Sequence, residues 1–328
     1  MHTLRSAARF CAVALIGTGL ASAAWAQNYP TRPVRMITPY SSGNSTADIM
    51  ARNLAQKLSA SLGVNVFVEN RPGGSAMIGT EAVARAAPDG YTLLLGATGP
   101  NAINVSLFKK IPYDPINDFA PVALVAVTTS VLVVHPSVPA NSVAQLIKLA
   151  KTTNGRLNYG SAGMGGTSHL AGELFNTMAG VKTTHVPYRG MAPAVIDLIG
   201  GQVDFMFATL PGTQAQIQAG RLRALAVATE KRSEVLPDLP TMSEAGLVGF
   251  QSSSFFGLFA PAKTPADIVT KLNEHTNRAL KQPDVRDMMR SQGSEVGDGT
   301  PEQFGSFVRA EIKKWAAVIK ASGATAED

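Results

Sequence analysis

The chain has 328 residues, 29 basic against 23 acidic, a formal net charge of +6 and a single cysteine. That length is enough for large apolar cores and suggests two domains rather than one. Aromatic residues make up only 6% and no dense Lys/Arg stripe occurs, which argues against nucleic acid as a partner.

The first residues read as a secretion signal. Arg5 and Arg9 give the positive start, Phe10 to Leu20 is an apolar run too short to span a bilayer, and Ala24-Trp25-Ala26 fits a small-x-small cleavage site. Residues 1–26 would then be lost and the mature chain would begin at Gln27. Nothing after Ala26 looks like a stop-transfer segment. Cys11 lies inside the signal, without a lipoprotein box around it. Removing 26 of the 328 residues leaves 302, free of cysteine, and the loss of Arg5 and Arg9 lowers the formal charge to +4. Such a chain reaches an oxidising compartment with no disulfides and relies on its cores.

Short strands then alternate with amphipathic helices, the α/β signature. Val34, Met36 and Thr38 alternate along a first strand, and Met50, Leu54, Leu58 and Leu62 form one stripe of the helix after it. Val64 to Val68 predicts a second strand. Tyr91 to Leu95 and Val131 to Val134 are near-continuous apolar runs, as strands covered on both faces require. Further strands are predicted at Leu157 to Ser161, Val203 to Phe207, Leu222 to Val227 and Phe255 to Phe259. The tail predicts two helices. Thr264-Pro265-Ala266-Asp267 and Thr300-Pro301-Glu302-Gln303 both supply a hydroxyl cap, a proline and an acid or amide three residues on. The helices are expected to run to about Leu280 and about Ile319. The strands near Val131 and Phe255 are the expected crossings between lobes. That places residues 27–128 and 251–328 in one lobe and 129–250 in the other, hinged to close over a ligand.

Two strand-to-helix loops carry the chemistry. Tyr40, Ser41, Ser42, Gly43, Asn44 and Ser45 lead into the first helix, where Ser45 and Asp48 are spaced as a capping box. Gly160, Ser161, Gly163, Met164, Gly165, Gly166, Thr167 and Ser168 lead into the helical stripe of Leu170, Leu174 and Met178. Both present backbone N–H groups and hydroxyls at the positive end of a helix, which suits an anion. The second loop lacks the third glycine of a dinucleotide fingerprint and the lysine of a P-loop. Ser161 lacks the glycine two before it that a nucleophile elbow needs. His135, His169, His185 and His275 show no metal-ligand spacing, and no cofactor is expected. His169, just inside the helix, reads by default as a surface or cap residue, and Arg189 as a solvated one. Tyr40, Tyr188, Phe207, Phe255 and Phe256 lie near predicted strand ends, where open α/β sheets bind ligands. Each alone defaults to the core, and Tyr40, Tyr188 and Phe207 stand as candidate ligand-binding residues.

Together these blocks resemble the Bug-type solute-binding proteins of tripartite tricarboxylate transporters. The resemblance is carried by Tyr29-Pro30, Glu69-Asn70-Arg71-Pro72-Gly73-Gly74 with Ile78-Gly79, and Ala87 to Leu93. It continues through Asn158 to Gly163, His169 to Phe175, Val186-Pro187-Tyr188-Arg189-Gly190 with Ala192-Pro193-Ala194, Leu236 to Thr241 with Glu244-Ala245-Gly246, and Gly257 to Pro261. It implies a two-lobed periplasmic-binding-protein-like α/β receptor with a cleft between lobes, whose two loops hold a carboxylate through backbone, hydroxyls and water. It also implies a periplasmic location; the closed form is expected to be recognised by membrane transporter subunits, and a monomer is the default for a shuttling receptor. One departure stands out: the family's first loop usually runs proline-glycine after the aromatic residue, whereas Tyr40 here precedes Ser41-Ser42-Gly43-Asn44. The added hydroxyls are expected to contact the carboxylate directly. The expected ligand is an organic dicarboxylate, with an aromatic diacid such as terephthalate in view. A secreted serine hydrolase and a sensory receptor for a membrane kinase are the alternatives.

Overall fold

The computed structural model describes residues 29–326 except Asn44 and Arg189. The predicted signal and its cleavage site lie outside the described residues. Two mixed sheets organise the chain. The first holds β1 (Val34–Thr38), β2 (Val66–Asn70), β3 (Thr92–Ala97), β4 (Phe119–Thr128), β10 (Ser254–Pro261) and β11 (Ser294–Val296), in the order β11-β4-β10-β3-β1-β2. The second holds β5 (Ser130–Val134), β6 (Asn158–Ser161), β7 (Thr184–Pro187), β8 (Phe205–Thr209) and β9 (Arg223–Val227), in the order β7-β6-β8-β5-β9. Each sheet is the centre of one lobe. The chain crosses between them at Thr129 and again between Ala228 and Ser254, where Ser252 N–H donates to Ala228 O (2.9 Å).

Parallel β2-β1-β3 is the part of the first sheet that builds the cleft. β3 is buried along its whole length, as its run of leucines requires. Helix α1 (Thr46–Leu62) buries Met50, Leu54 and Leu58 against one face. Burying each such side chain contributes about 1.5–3 kcal/mol. α1 ends at Gly63, whose φ of 73° makes the left-handed cap. Helix α2 (Met77–Ala84) follows β2, and a π-helical turn (Gly99–Ile103) running into α3 (Asn104–Leu107) follows β3. In the second lobe α4 (Val143–Thr153), α5 (Thr167–Ala179), α6 (Met191–Ile199) and α7 (Leu210–Gln218) cover the sheet. α8 (Ala266–Leu280), α9 (Pro283–Ser291) and α10 (Pro301–Ser322) return to the first lobe.

Four local expectations need correction. β4, β7 and β11 have weak alternation and were not predicted; β4 is found only because it pairs with both β10 and β11. α8 begins at Ala266 without a side-chain cap, because the Thr264 hydroxyl donates to Pro261 O (2.7 Å). At Thr300 the capping box is complete. At Ser45 it is half made: Ser45 Oγ accepts the Asp48 N–H (3.2 Å), but the Asp48 carboxylate turns elsewhere. Phe207, a candidate cleft residue, lies in the core of the second lobe at 1% exposure, stacked on Phe250, because its β8 position faces the helices.

Candidate functional site

β1 and β3 are adjacent and parallel, so the loops leaving their C-terminal ends open on the same edge of the first sheet. The start of α5 in the second lobe faces them. Between these loops lies a cleft made of two adjoining cavities that share Tyr40, Gly99 and Gly166. The smaller, about 320 Å³, is lined by Ser45, Thr46 and Ala47 at the start of α1, by Thr98 and Gly99, by Gly166 and Thr167 at the start of α5, and by Ser254 and Phe256. The larger, about 990 Å³, is lined by Tyr40, Ser41, Pro72 to Ala76 in part, Pro100, Asn104, Leu107, Phe108, Met164 and Gly165, and by Thr325 and Ala326 near the end of the chain. Among the described residues, no lysine, arginine, aspartate or glutamate lines either cavity. An anion placed there would be held by oriented dipoles rather than by a counter-charge.

The first loop is set by one buried carboxylate. Asp48, 1% exposed, accepts the Gly43 N–H (3.0 Å), Arg52 Nε (2.9 Å) and Asn70 Nδ2 (2.7 Å). Asn70 also donates to Tyr40 O (3.0 Å), so β2 grips both ends of the loop. Burial works to raise the Asp48 pKa, but the bonds from Arg52, Asn70 and Gly43 outweigh it and hold the carboxyl below its usual value. Gly43 has a φ of 114°, which the turn requires. Ser45 Oγ also donates to Ser41 O (3.2 Å). Ser41 reaches the larger cavity; Ser42 is exposed and lines neither. Asn44 lies outside the described residues. Tyr40 is half-buried between the two cavities, and burial pushes its phenol pKa up.

The second loop is built inward. Ser161, 0% exposed, pairs with His185 Nε2 (2.6 Å) and accepts the Gly163 N–H (3.1 Å). Ser168 Oγ accepts the Ala162 N–H (3.0 Å), and His169 Nδ1 accepts the Gly165 N–H (3.0 Å). Ser161, Ser168 and Gly160 therefore serve as scaffold and are absent from the cleft, as is Gly163. Tyr188 backs the loop: its N–H donates to Ser161 O (3.0 Å) and its hydroxyl to Asp197 (2.8 Å). Burial, then the Asp197 bond and charge, push the Tyr188 pKa up to about 12. Among the described residues, the N–H groups of Gly166, Thr167 and Ser168 have no protein acceptor. Met164, 57% exposed, lies over the larger cavity. The Ser161–His185 pair has the spacing of a nucleophile and its base, but its buried serine is out of reach of the cleft.

The lobes meet at this loop. Gly165 has a φ of 70°, and a Cβ there would stand 2.1 Å from Leu107 Cδ2 of the first lobe. Thr167 Oγ1 bonds Ser254 Oγ (3.1 Å) across the cleft. Leu170 of α5 packs into the first lobe's cluster around Trp315 of α10. Ala326 N–H donates to Leu107 O (3.1 Å), which fixes the tail as a wall.

Sequence reasoning passed over Gly99, Pro100, Asn104, Leu107, Phe108 and the tail. The Gly99-Pro100 pair after a buried strand was a usable signal for a third cleft loop. Nothing local marks Thr325 and Ala326, which reach the cleft only through the packing of α10.

The sequence profile of the tripartite tricarboxylate transporter family receptor matches residues 50–324. The chain is 40% identical to protein BugT of Bordetella pertussis over 307 residues, 93% of this chain and 94% of that protein. Two solved structures share the fold at similar distance. R. palustris Rpa4515 with adipate has 40% identity and a TM-score of 0.77, over 90% of this chain and 99% of that one. MatC (Rpa3494) of Rhodopseudomonas palustris with bound malate has 35% identity and a TM-score of 0.73, over 89% and 100%. The chain belongs to the tripartite tricarboxylate transporter receptor family and is a periplasmic solute-binding receptor, not an enzyme.

Proposed function

We propose that the receptor captures an extended organic dicarboxylate and delivers it, as a monomer, to the membrane subunits of a tripartite transporter. The observation that carries this reading is the pair of helix starts, Thr46–Ala47 and Gly166–Thr167, facing one small cavity, lined by no charged side chain among the described residues, that opens into a larger one. One carboxylate sits at the helix starts and accepts their free N–H groups. Each such dipole interaction contributes about 0.3–1 kcal/mol when exposed and up to ~2 kcal/mol when partly buried. The spacer lies along Tyr40, Phe256, Phe108 and Met164. The far carboxylate reaches the polar end of the larger cavity near Ser75 and Asn104. Terephthalate has this shape, with a flat ring to lie against Tyr40. Adipate, which Rpa4515 carries, is the flexible equivalent. Because the lobes already touch through Gly165 and Leu107, a ligand bridging α1 and α5 favours closure by its contacts to both. The N-terminal segment is proposed to be a cleaved signal that brings the chain to the periplasm.

A thermal-shift panel of mono-, di- and tricarboxylates, aliphatic and aromatic, tests the reading, because a ligand of the folded state raises Tm by mass action. Saturable shifts confined to extended diacids are expected. Shifts confined to short hydroxy acids or tricarboxylates would overturn the extended-diacid assignment, and no shift with any acid would overturn the carboxylate reading.

A further inference from the structure

His169 lines neither cavity, yet the loop assigned to the ligand hangs on it. It is 4% exposed, and its Nδ1 is the acceptor for the Gly165 N–H at 3.0 Å. A backbone N–H can only donate, so Nδ1 must be unprotonated and any ring proton must sit on Nε2. The ring stacks on His185 at 4.0 Å, and His185 in turn bonds the buried Ser161, which accepts the Gly163 N–H. Tyr159 stacks on both imidazoles, and its hydroxyl donates to Glu173. Two stacked imidazoles thus hold two of the loop's amides, those of Gly163 and Gly165, from below.

We propose that His169 is the positioning residue of the ligand loop, that it works only as the neutral Nε2–H tautomer, and that its protonation releases the loop and the ligand. This deepens the receptor reading, since the loop it sets is the one assigned to the ligand. A proton on Nδ1 removes the acceptor of Gly165 and sets a donor against a donor. Gly165 is also where the second lobe touches Leu107, so its displacement disturbs the interlobe contact as well as the amides at Gly166 and Thr167.

Among the described residues, the groups facing His169 are few. On its own helix, the Glu173 carboxylate lies 3.9 Å from Nε2 and favours the charged ring. From β6 comes Tyr159 and from β7 His185. From the first lobe, Leu170's neighbours around Trp315 and Leu107 bring an apolar surface. Burial holds the His169 pKa below its ordinary value against the pull of Glu173. Burial, then repulsion from His169, lowers His185 to about 4. Both pKa values are depressed, so the stabilisation from neutral rings is complete above the unfolded value near 6.5 and is lost as pH falls through the folded values. Acidification, not alkalinisation, opens the loop.

The test uses the ligand-free chain, ¹⁵N-labelled, from pH 7.5 to 4.5. The Gly165 amide is expected to move in step with titration of the His169 ring, with a midpoint below 6.5. His169→Asn offers an Oδ1 near the place of Nδ1 and cannot titrate; in H169N the Gly165 amide is expected to stay fixed across the range. A His169 midpoint at or above 6.5, or equal movement of Gly165 in both proteins, overturns the proposal. A binding arm uses adipate as probe by calorimetry at pH 7.5 and 4.5. The loss of affinity on acidification is expected to be several-fold greater in the wild type than in H169N, because protonation of His169 removes binding-competent protein from the wild type alone. Protonation of adipate itself is common to both proteins and cancels in that ratio. An equal loss in both overturns the proposal. If adipate binds at neither pH, that outcome counts against the choice of ligand, and the amide readout alone decides the role of His169.

Discussion

The two ligand loops reach the same cavity by opposite constructions. The loop after β1 keeps the hydroxyls of Ser41 and Ser42 exposed, and beside the Ser45 cap a single buried carboxylate, Asp48, holds the turn from below. The loop before α5 turns its hydroxyls inward, and Ser161, Ser168 and His169 consume the N–H groups of Gly163, Ala162 and Gly165. A count of donors in the sequence therefore misleads. The richer loop spends its donors on its own shape, and what remains for an anion in both cases is the first turn of a helix. One loop is anchored by a buried anion, the other by a buried neutral base, so the two should fail under different perturbations.

The largest expected effect is at the lobe contact. Gly165→Ala adds a Cβ at positive φ that would meet Leu107, and overpacking of this kind costs about 1–3 kcal/mol, or roughly 5- to 150-fold in affinity for a diacid probe by calorimetry. The paired variant Gly165→Ala/Leu107→Ala should recover part of it; no recovery would remove the lobe contact from the account. Next comes the first loop's anchor. Asp48→Ala leaves the Gly43 amide and Asn70 short of an acceptor, and a fall of about 1–3 kcal/mol in unfolding free energy is expected from urea denaturation. The Asp48 pKa is held below its usual value, so its contribution is present above that value and lost as pH falls through the lowered one. The wild-type advantage over the alanine variant should accordingly shrink in strong acid and stay constant from pH 6 to 8.

Ser161→Ala should lower stability by a similar ~1–3 kcal/mol, because it strips both His185 and the Gly163 amide of a partner, while a serine-directed phosphonate should label neither protein. Stoichiometric labelling of the wild type would contradict the scaffold role. The smallest effects separate the two exposed serines. Ser41→Ala should weaken a diacid by only a few-fold, the worth of about one hydrogen bond, and Ser42→Ala should leave affinity unchanged. A loss at Ser42 equal to that at Ser41 would return both hydroxyls to the ligand, as the bare sequence suggests.

The two-lobed α/β fold was legible because periodicity and strand–helix alternation are local properties. Val34 to Thr38, the stripe of Met50, Leu54 and Leu58, and the capped helix at Thr300 all carry their signal within a few residues of chain. The candidate site was half legible. That two helix starts matter follows from glycine and hydroxyl content; which serine faces in or out does not. Ser161 and Ser41 look alike in sequence, yet Ser161 is buried against His185 of β7 and Ser41 is exposed. Phe207 and Phe256 likewise read alike in sequence, yet Phe207 stacks on Phe250 in the core of the second lobe and Phe256 lines the smaller cavity. The contributions of Leu107 and Ala326 depend on α3 and α10 meeting, a long-range fact with no local signature.

The most direct test of the central claim is a crystal structure of the receptor with an extended diacid. One carboxylate is expected at the helix starts, its oxygens about 2.7–3.2 Å from backbone nitrogens among residues 46–47 and 166–168, with no arginine or lysine in contact and the spacer against Tyr40. A carboxylate paired with a basic side chain, or seated away from both helix starts, would contradict it.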